Sequence, residues 1–157
     1  MAFVISASLG ITLFASLFLT ERRLSLFEMI IVWSFLQLVQ NQYFWDLSLN
    51  MKLLQIANDA EKYTAFLFNH LITVPILTFY CLELAVSATV KWLKPVAVLL
   101  SSAVFWTMEA ACRAFNVIEE RPGFITGYAI LFWTGIAILL YVLCLGLRSI
   151  AAKDVKG

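Results

Sequence analysis

Charge is scarce in this chain. Only 13% of its 157 residues are charged, where a soluble domain carries about a quarter. With 62% hydrophobic residues and a mean hydropathy of +0.90, the chain cannot hide its apolar side chains inside a soluble fold of this length. Lipid is therefore the expected solvent. His70 is the one histidine, which leaves no second imidazole for haem. There is no Gly-rich phosphate loop, no HExxH and no Gly-x-Ser-x-Gly, so the common nucleotide, zinc-protease and serine-hydrolase signatures are missing. Cys81, Cys112 and Cys144 sit inside apolar runs without CxxC spacing. They read as buried small hydrophobes, not as a disulfide framework or a zinc site, and no cofactor is expected. A formal net charge of +1, with scattered basic residues, excludes nucleic acid as a partner. No internal repeat is evident, so inverted-repeat transporter architecture is not supported within one chain. A homodimer would supply one.

What is present is a succession of long apolar runs. The expected fold is all-α, a polytopic bundle of five transmembrane helices forming a single domain over residues 1–157. The spans fall at about 2–20, 24–44, 63–88, 95–118 and 123–147. No basic residue precedes the first run and Glu21-Arg22-Arg23 follows it, which fits an uncleaved span with its amino end outside. Residues 46–62 alternate apolar and polar groups and read as an amphipathic segment on the outer surface. The inside segments then hold Arg22, Arg23, Lys91, Lys94, Arg148, Lys153 and Lys156, seven of the eleven Lys and Arg. Lys52, Lys62 and Arg121 fall outside. The positive-inside rule thus gives an external amino end and a cytoplasmic carboxyl end.

The stretch 102–120, most of it in the fourth span, carries ionisable groups within apolar sequence. Ser102, Trp106, Glu109, Arg113 and Asn116 share one face of a helix by spacing. Ionised groups facing lipid cost several kcal/mol, so this face should turn to protein or to a wet cavity. At ~1.5 Å per residue, Glu109 lies about 21 Å and Arg113 about 27 Å along the fourth span. Gln37 and Asn41 lie about 18 and 24 Å along the second, on a face shared with Ser34. Asn69 and His70 lie about 9 to 11 Å below the outer end of the third, and Tyr128 lies at a similar depth in the fifth. These side chains converge on the outer half of the membrane. They predict an outward-opening polar pocket walled by spans two to five. Pro75 should kink the third span and free a carbonyl near His70.

Each group also has a structural reading. Glu109 with Arg113 makes an internal ion pair, His70 a packing histidine, and Gln37 and Asn41 bond neighbouring helices. Tyr43, Phe44 and Trp45 read as an interfacial aromatic anchor. Gly123 and Gly127 form a small-residue pair suited to close helix packing.

The tract QNQYFWD, the HLITVP of the third span and MEAACRAFNVIEERPGFITGYAILFW across the last turn resemble small five-helix membrane proteins of spore-forming Gram-positive bacteria. The resemblance implies a bacterial inner-membrane address and brings no established chemistry. Three functional classes stay open. The first is a membrane protein whose pocket binds a small polar or amphipathic ligand for sensing or transport. The second is an intramembrane enzyme on a lipid or isoprenoid, with Glu109 as acid or base and His70 as second proton carrier. The third is an assembly subunit, in a homo-oligomer or with a membrane partner protein. Membrane lipids surround the chain in all three.

Overall fold

Long apolar runs separated by short polar turns fold here into helices, as the sequence leads one to expect. A computed structural model describes residues 2–19 and 24–154. The end of the first run at Thr20, the Glu21-Arg22-Arg23 turn and the tail with Lys156 lie outside the described residues. Helix α1 covers Ala2–Leu19, α2 Leu26–Trp45, α3 Ala60–Ser87, α4 Leu93–Ala114 and α5 Thr126–Asp154. Helices α3, α4 and α5 are each long and apolar enough to cross a membrane. Gln37, Gln40, Asn41 and Gln42 dilute the apolar character of α2.

Local chemistry sets the helix ends. Ser25 and Glu28 form a capping box at the start of α2: the Glu28 carboxylate accepts from the Ser25 N–H at 2.6 Å, and Ser25 Oγ accepts from the Glu28 N–H at 3.2 Å. Asp59 caps α3 by accepting from the amides of Glu61 and Lys62. Helix α4 stops at Ala114, short of the expected residue 118. Asn116 takes a left-handed conformation (φ 53°), its N–H bonds Arg113 O, and the Val117 N–H bonds Cys112 O at 2.8 Å. That pair of bonds is a Schellman cap with asparagine in place of glycine. Asn116 is thus not on the helical face with Glu109.

The amphipathic segment at 46–62, expected as a short helix or turn, is a π turn, a short strand and the start of α3. Asp46–Asn50 is a π turn extending α2, and strand β1, Leu54–Ile56, pairs antiparallel with β2, Ile118–Glu120. Leu54 faces Glu120, Gln55 faces Glu119 and Ile56 faces Ile118. Leu54, Phe66, Cys112, Val117 and Ile118 form a small apolar cluster beneath this sheet, so it is seated on the bundle and not free in solvent.

Around the bundle, α1 packs on α3, α3 on α4, α4 on α5, and α5 on α2. Val32, Leu36, Phe79, Leu82, Phe105, Trp133, Ala137 and Leu140 fill the centre. The close helix approach is at Gly10, where an added Cβ would sit 2.6 Å from the Phe68 ring and 3.2 Å from Thr73 Oγ1. The Gly123/Gly127 pair does not do this. Gly123 precedes α5 with φ 103°, which favours glycine, and a Cβ on Gly127 would meet only Ile125 at 3.9 Å.

Candidate functional site

Glu109 is 4% exposed, and four elements converge on it. Its own helix supplies Arg113, whose Nη2 donates to Oε1 at 2.6 Å. From α5, Trp133 Nε1 donates to Oε2 at 2.9 Å. From α2, the Tyr43 hydroxyl sits 3.4 and 3.5 Å from the two oxygens. The other side of the guanidinium reaches β2, with Nη1 2.6 Å from Glu120 Oε1, and the same group lies 5.0 Å from the Phe124 ring centroid. Stacked rings hold the donors in place. Trp133 stacks on Phe105 with centroids 4.8 Å apart, and Tyr43 stacks on Phe132 at 4.7 Å. A carboxylate so held is a fixed acceptor tying three helices and the sheet together.

His70 lies on α3, where the backbone widens into a π turn over Asn69–Thr73. The Val74 N–H bonds Asn69 O, and Pro75 has no N–H to offer. The His70 carbonyl is left free by this arrangement, and Gln37 Nε2 fills it from α2 at 3.0 Å. The proline predicts a freed carbonyl; the Gln37 side chain that fills it from α2 leaves no such signal in the sequence. The His70 ring donates through Nε2 to Asn41 Oδ1 at 3.1 Å, stacks on Phe66 and meets Phe44 edge-on. Asn69 Nδ2 points at Cys112 Sγ, 3.8 Å away.

Glu109 and His70 line one cavity, together with Gln40, Phe44, Phe66 and Trp133, so helices α2 to α5 do wall a common space. The expected wet, ligand-sized pocket is not what they enclose. The cavity measures about 30 Å³, room for one or two waters, against about 300 Å³ or more for a typical ligand site. Its lining is almost wholly carbon. Most polar atoms around it are bonded to each other, and the buried Gln40 Oε1 has no hydrogen-bond partner among the described residues. Among the described residues, no group of three or more His, Cys, Asp or Glu could hold a metal ion.

Two of the expected site residues lie elsewhere. Trp106 is 39% exposed and does not line this cavity. Tyr128 is 70% exposed and lines a second, larger space of about 400 Å³. This groove runs between the end of α2 with its π turn and the start of α5, walled by Tyr43, Leu47, Met51, Phe124, Tyr128 and Phe132. Tyr43 links the groove to the Glu109 cluster. Its ring faces the groove, and its hydroxyl faces the Glu109 carboxylate. It is buried and belongs to the site, not to the aromatic anchor expected at Tyr43-Phe44-Trp45. A third space of about 310 Å³, lined by apolar residues such as Phe14, Trp33 and Phe79, separates α1 from α2.

No known family model, curated protein or solved structure matches the chain.

Proposed function

We propose that the chain is a five-span membrane protein, amino end outside and carboxyl end cytoplasmic, that binds an amphipathic ligand for sensing or transport in the groove beside Tyr43. The resemblance noted above points to the bacterial inner membrane as its address. At ~1.5 Å per residue, the 18 residues of α1 and the 20 of α2 reach about 27 and 30 Å, enough to join the three longer helices across a core of ~30 Å. The observation that carries the ligand reading is the double role of Tyr43. A groove of ligand size has as its inner wall the same ring whose hydroxyl touches the buried carboxylate. An apolar body in the groove would press on Tyr43, and Tyr43 would pass that pressure to Glu109, Trp133 and Arg113. The acid–base reading of Glu109 draws less support, since both oxygens already accept protein donors.

The test is photolabelling with a diazirine-tagged monoacylglycerol on the purified full-length chain. Label should concentrate on peptides holding Met51, Phe124 and Tyr128. Met51→Cys modified with N-phenylmaleimide should abolish it. The native cysteines are buried, so the reagent is selective for the exposed position 51. Uniform label over the outer faces of all helices would reject the groove as a site.

A further inference from the structure

We infer that the groove's ligand is an anionic membrane phospholipid, with an acyl chain along Phe124, Tyr128 and Phe132 and its phosphate held by Lys52 and Arg121. This rests on the groove reading above and adds the chemistry of the headgroup. The argument begins at Leu53, which lines the groove and brings its two walls together. Leu53 Cδ2 would lie 3.3 Å from a Cβ on Gly123, the Leu53 N–H bonds Leu47 O, and the Arg121 N–H bonds Leu53 O at 2.9 Å. Lys52 is the preceding residue and is exposed, between the groove-lining Met51 and Leu53. Lys52 and Arg121 therefore sit next to groove-lining residues, on the two chain segments whose backbones meet at Leu53.

Neither cation is neutralised. Among the described residues, Lys52 and Arg121 enter no ion pair; the Arg121 Nη2 donates at 2.6 Å to the neutral Gln55 Oε1. The nearby acids are mostly committed. Glu120 is taken by Arg113, and Asp46 accepts from the amides of Gln42 and Asn50. Glu119 opposes Gln55 in the sheet and is the acid that would compete with a bound phosphate. Lys52 holds a left-handed backbone (φ 53°), unusual for lysine, where asparagine is the better-suited side chain. The backbone there does not explain the residue; a role for its charge beside the groove would. Arginine and lysine beside a bilayer interface attract anionic headgroups, and a guanidinium suits a phosphate geometrically.

The experiment is native mass spectrometry of the full chain in neutral detergent, titrated with phosphatidylglycerol and with phosphatidylcholine of the same acyl chains. The expected result is roughly tenfold tighter binding of phosphatidylglycerol, with parity restored in the exposed-surface double variant Lys52→Asn, Arg121→Gln. Glu119→Gln should tighten phosphatidylglycerol and leave phosphatidylcholine unchanged. Maleimide-blocked Met51→Cys should lose both lipids. Equal binding of the two lipids, both blocked by the maleimide, overturns the headgroup assignment and leaves the groove standing. Phosphatidylglycerol binding that survives the block yet vanishes in the double variant places the lipid on surface charge alone, and overturns the groove with it.

Discussion

Two glutamate–arginine pairs stand at opposite ends of the bundle, and they are built in opposite ways. Glu109 pairs with Arg113 on its own helix, one turn on, and its links to other helices are neutral donors, Trp133 and Tyr43. Glu28 pairs with Arg148, 120 residues away, so there the guanidinium itself crosses from α5 to α2. The burial differs in step. The Glu109 and Arg113 side chains are 2% and 18% exposed, those of Glu28 and Arg148 9% and 32%. A carboxylate sunk among rings needs its charge balanced at short range, and a neighbour on the same helix does that before any tertiary contact forms. One nearer the end of the bundle can leave the pairing to a long flexible side chain that water also reaches. The first arrangement joins helices through rigid aromatic donors, the second through a tether.

Removing the deeper carboxylate should therefore have the largest effect. Glu109→Leu leaves Trp133 Nε1 and the Tyr43 hydroxyl without an acceptor and returns Arg113 to Glu120 alone. A loss of about 3 kcal/mol is expected, well above the ~0.6 kcal/mol average of one interhelical hydrogen bond in a membrane. Glu109→Gln keeps an oxygen for Trp133 and should lose about half as much. Unfolding of the purified chain by SDS titration measures both. If the two variants unfold together with the wild type, the cluster is not the tie between helices that its geometry indicates.

How far the sequence discloses this depends on the signal each feature leaves. The apolar runs mark the helices because nothing else needs so many consecutive hydrophobes. The three-residue strands leave no alternation long enough to recognise, and the Schellman cap at Asn116 hides because asparagine also suits a polar helix face. Glu109 and Arg113 are conspicuous, since charge is rare here. Their partners Trp133 and Tyr43 are not, because in a chain with five Trp and thirteen Phe an aromatic residue reads as lipid-facing bulk. In α2 the polar spacing finds the contact with α3, through Gln37 and Asn41 to His70, and misses the deepest face. Ser34, Gln37 and Asn41 share a spacing, but the buried face is Met29, Val32, Leu36, Gln40 and Tyr43. A helix apolar on every side gives no moment to orient it, so its polar residues mislead. Glycine spacing misled likewise: Gly123 and Gly127 look like a packing pair, and the solitary Gly10 is where two helices touch.

At the other end, Glu28 does two jobs, and its loss should have an intermediate effect. Glu28→Ala removes the N3 half of a capping box and the acceptor of Arg148 together. About 1–2 kcal/mol is expected, most of it from the cap. Glu28→Gln, which can still close the box, should recover more than half of that in the same titration. A Glu28→Ala loss equal to that of Glu109→Leu would erase the distinction between the two ends.

The smallest effect belongs to the tether itself. Arg148→Met keeps a long apolar stem on α5 and deletes only the charged head. Ion pairs with a solvent-reached partner, as Arg148 is at 32% exposure, contribute about 0–1 kcal/mol, and salt screens what there is. The expected loss is therefore about 0.5 kcal/mol at low ionic strength, shrinking further when salt is raised. The Glu109 effect should hold under the same change, because its pair is out of reach of the ions. Parallel titrations of Arg148→Met and Glu109→Leu at low and high salt read this directly. A salt-independent loss at Arg148 would mean that the guanidinium is as sequestered as the carboxylate of Glu109, and that the two ends obey one rule.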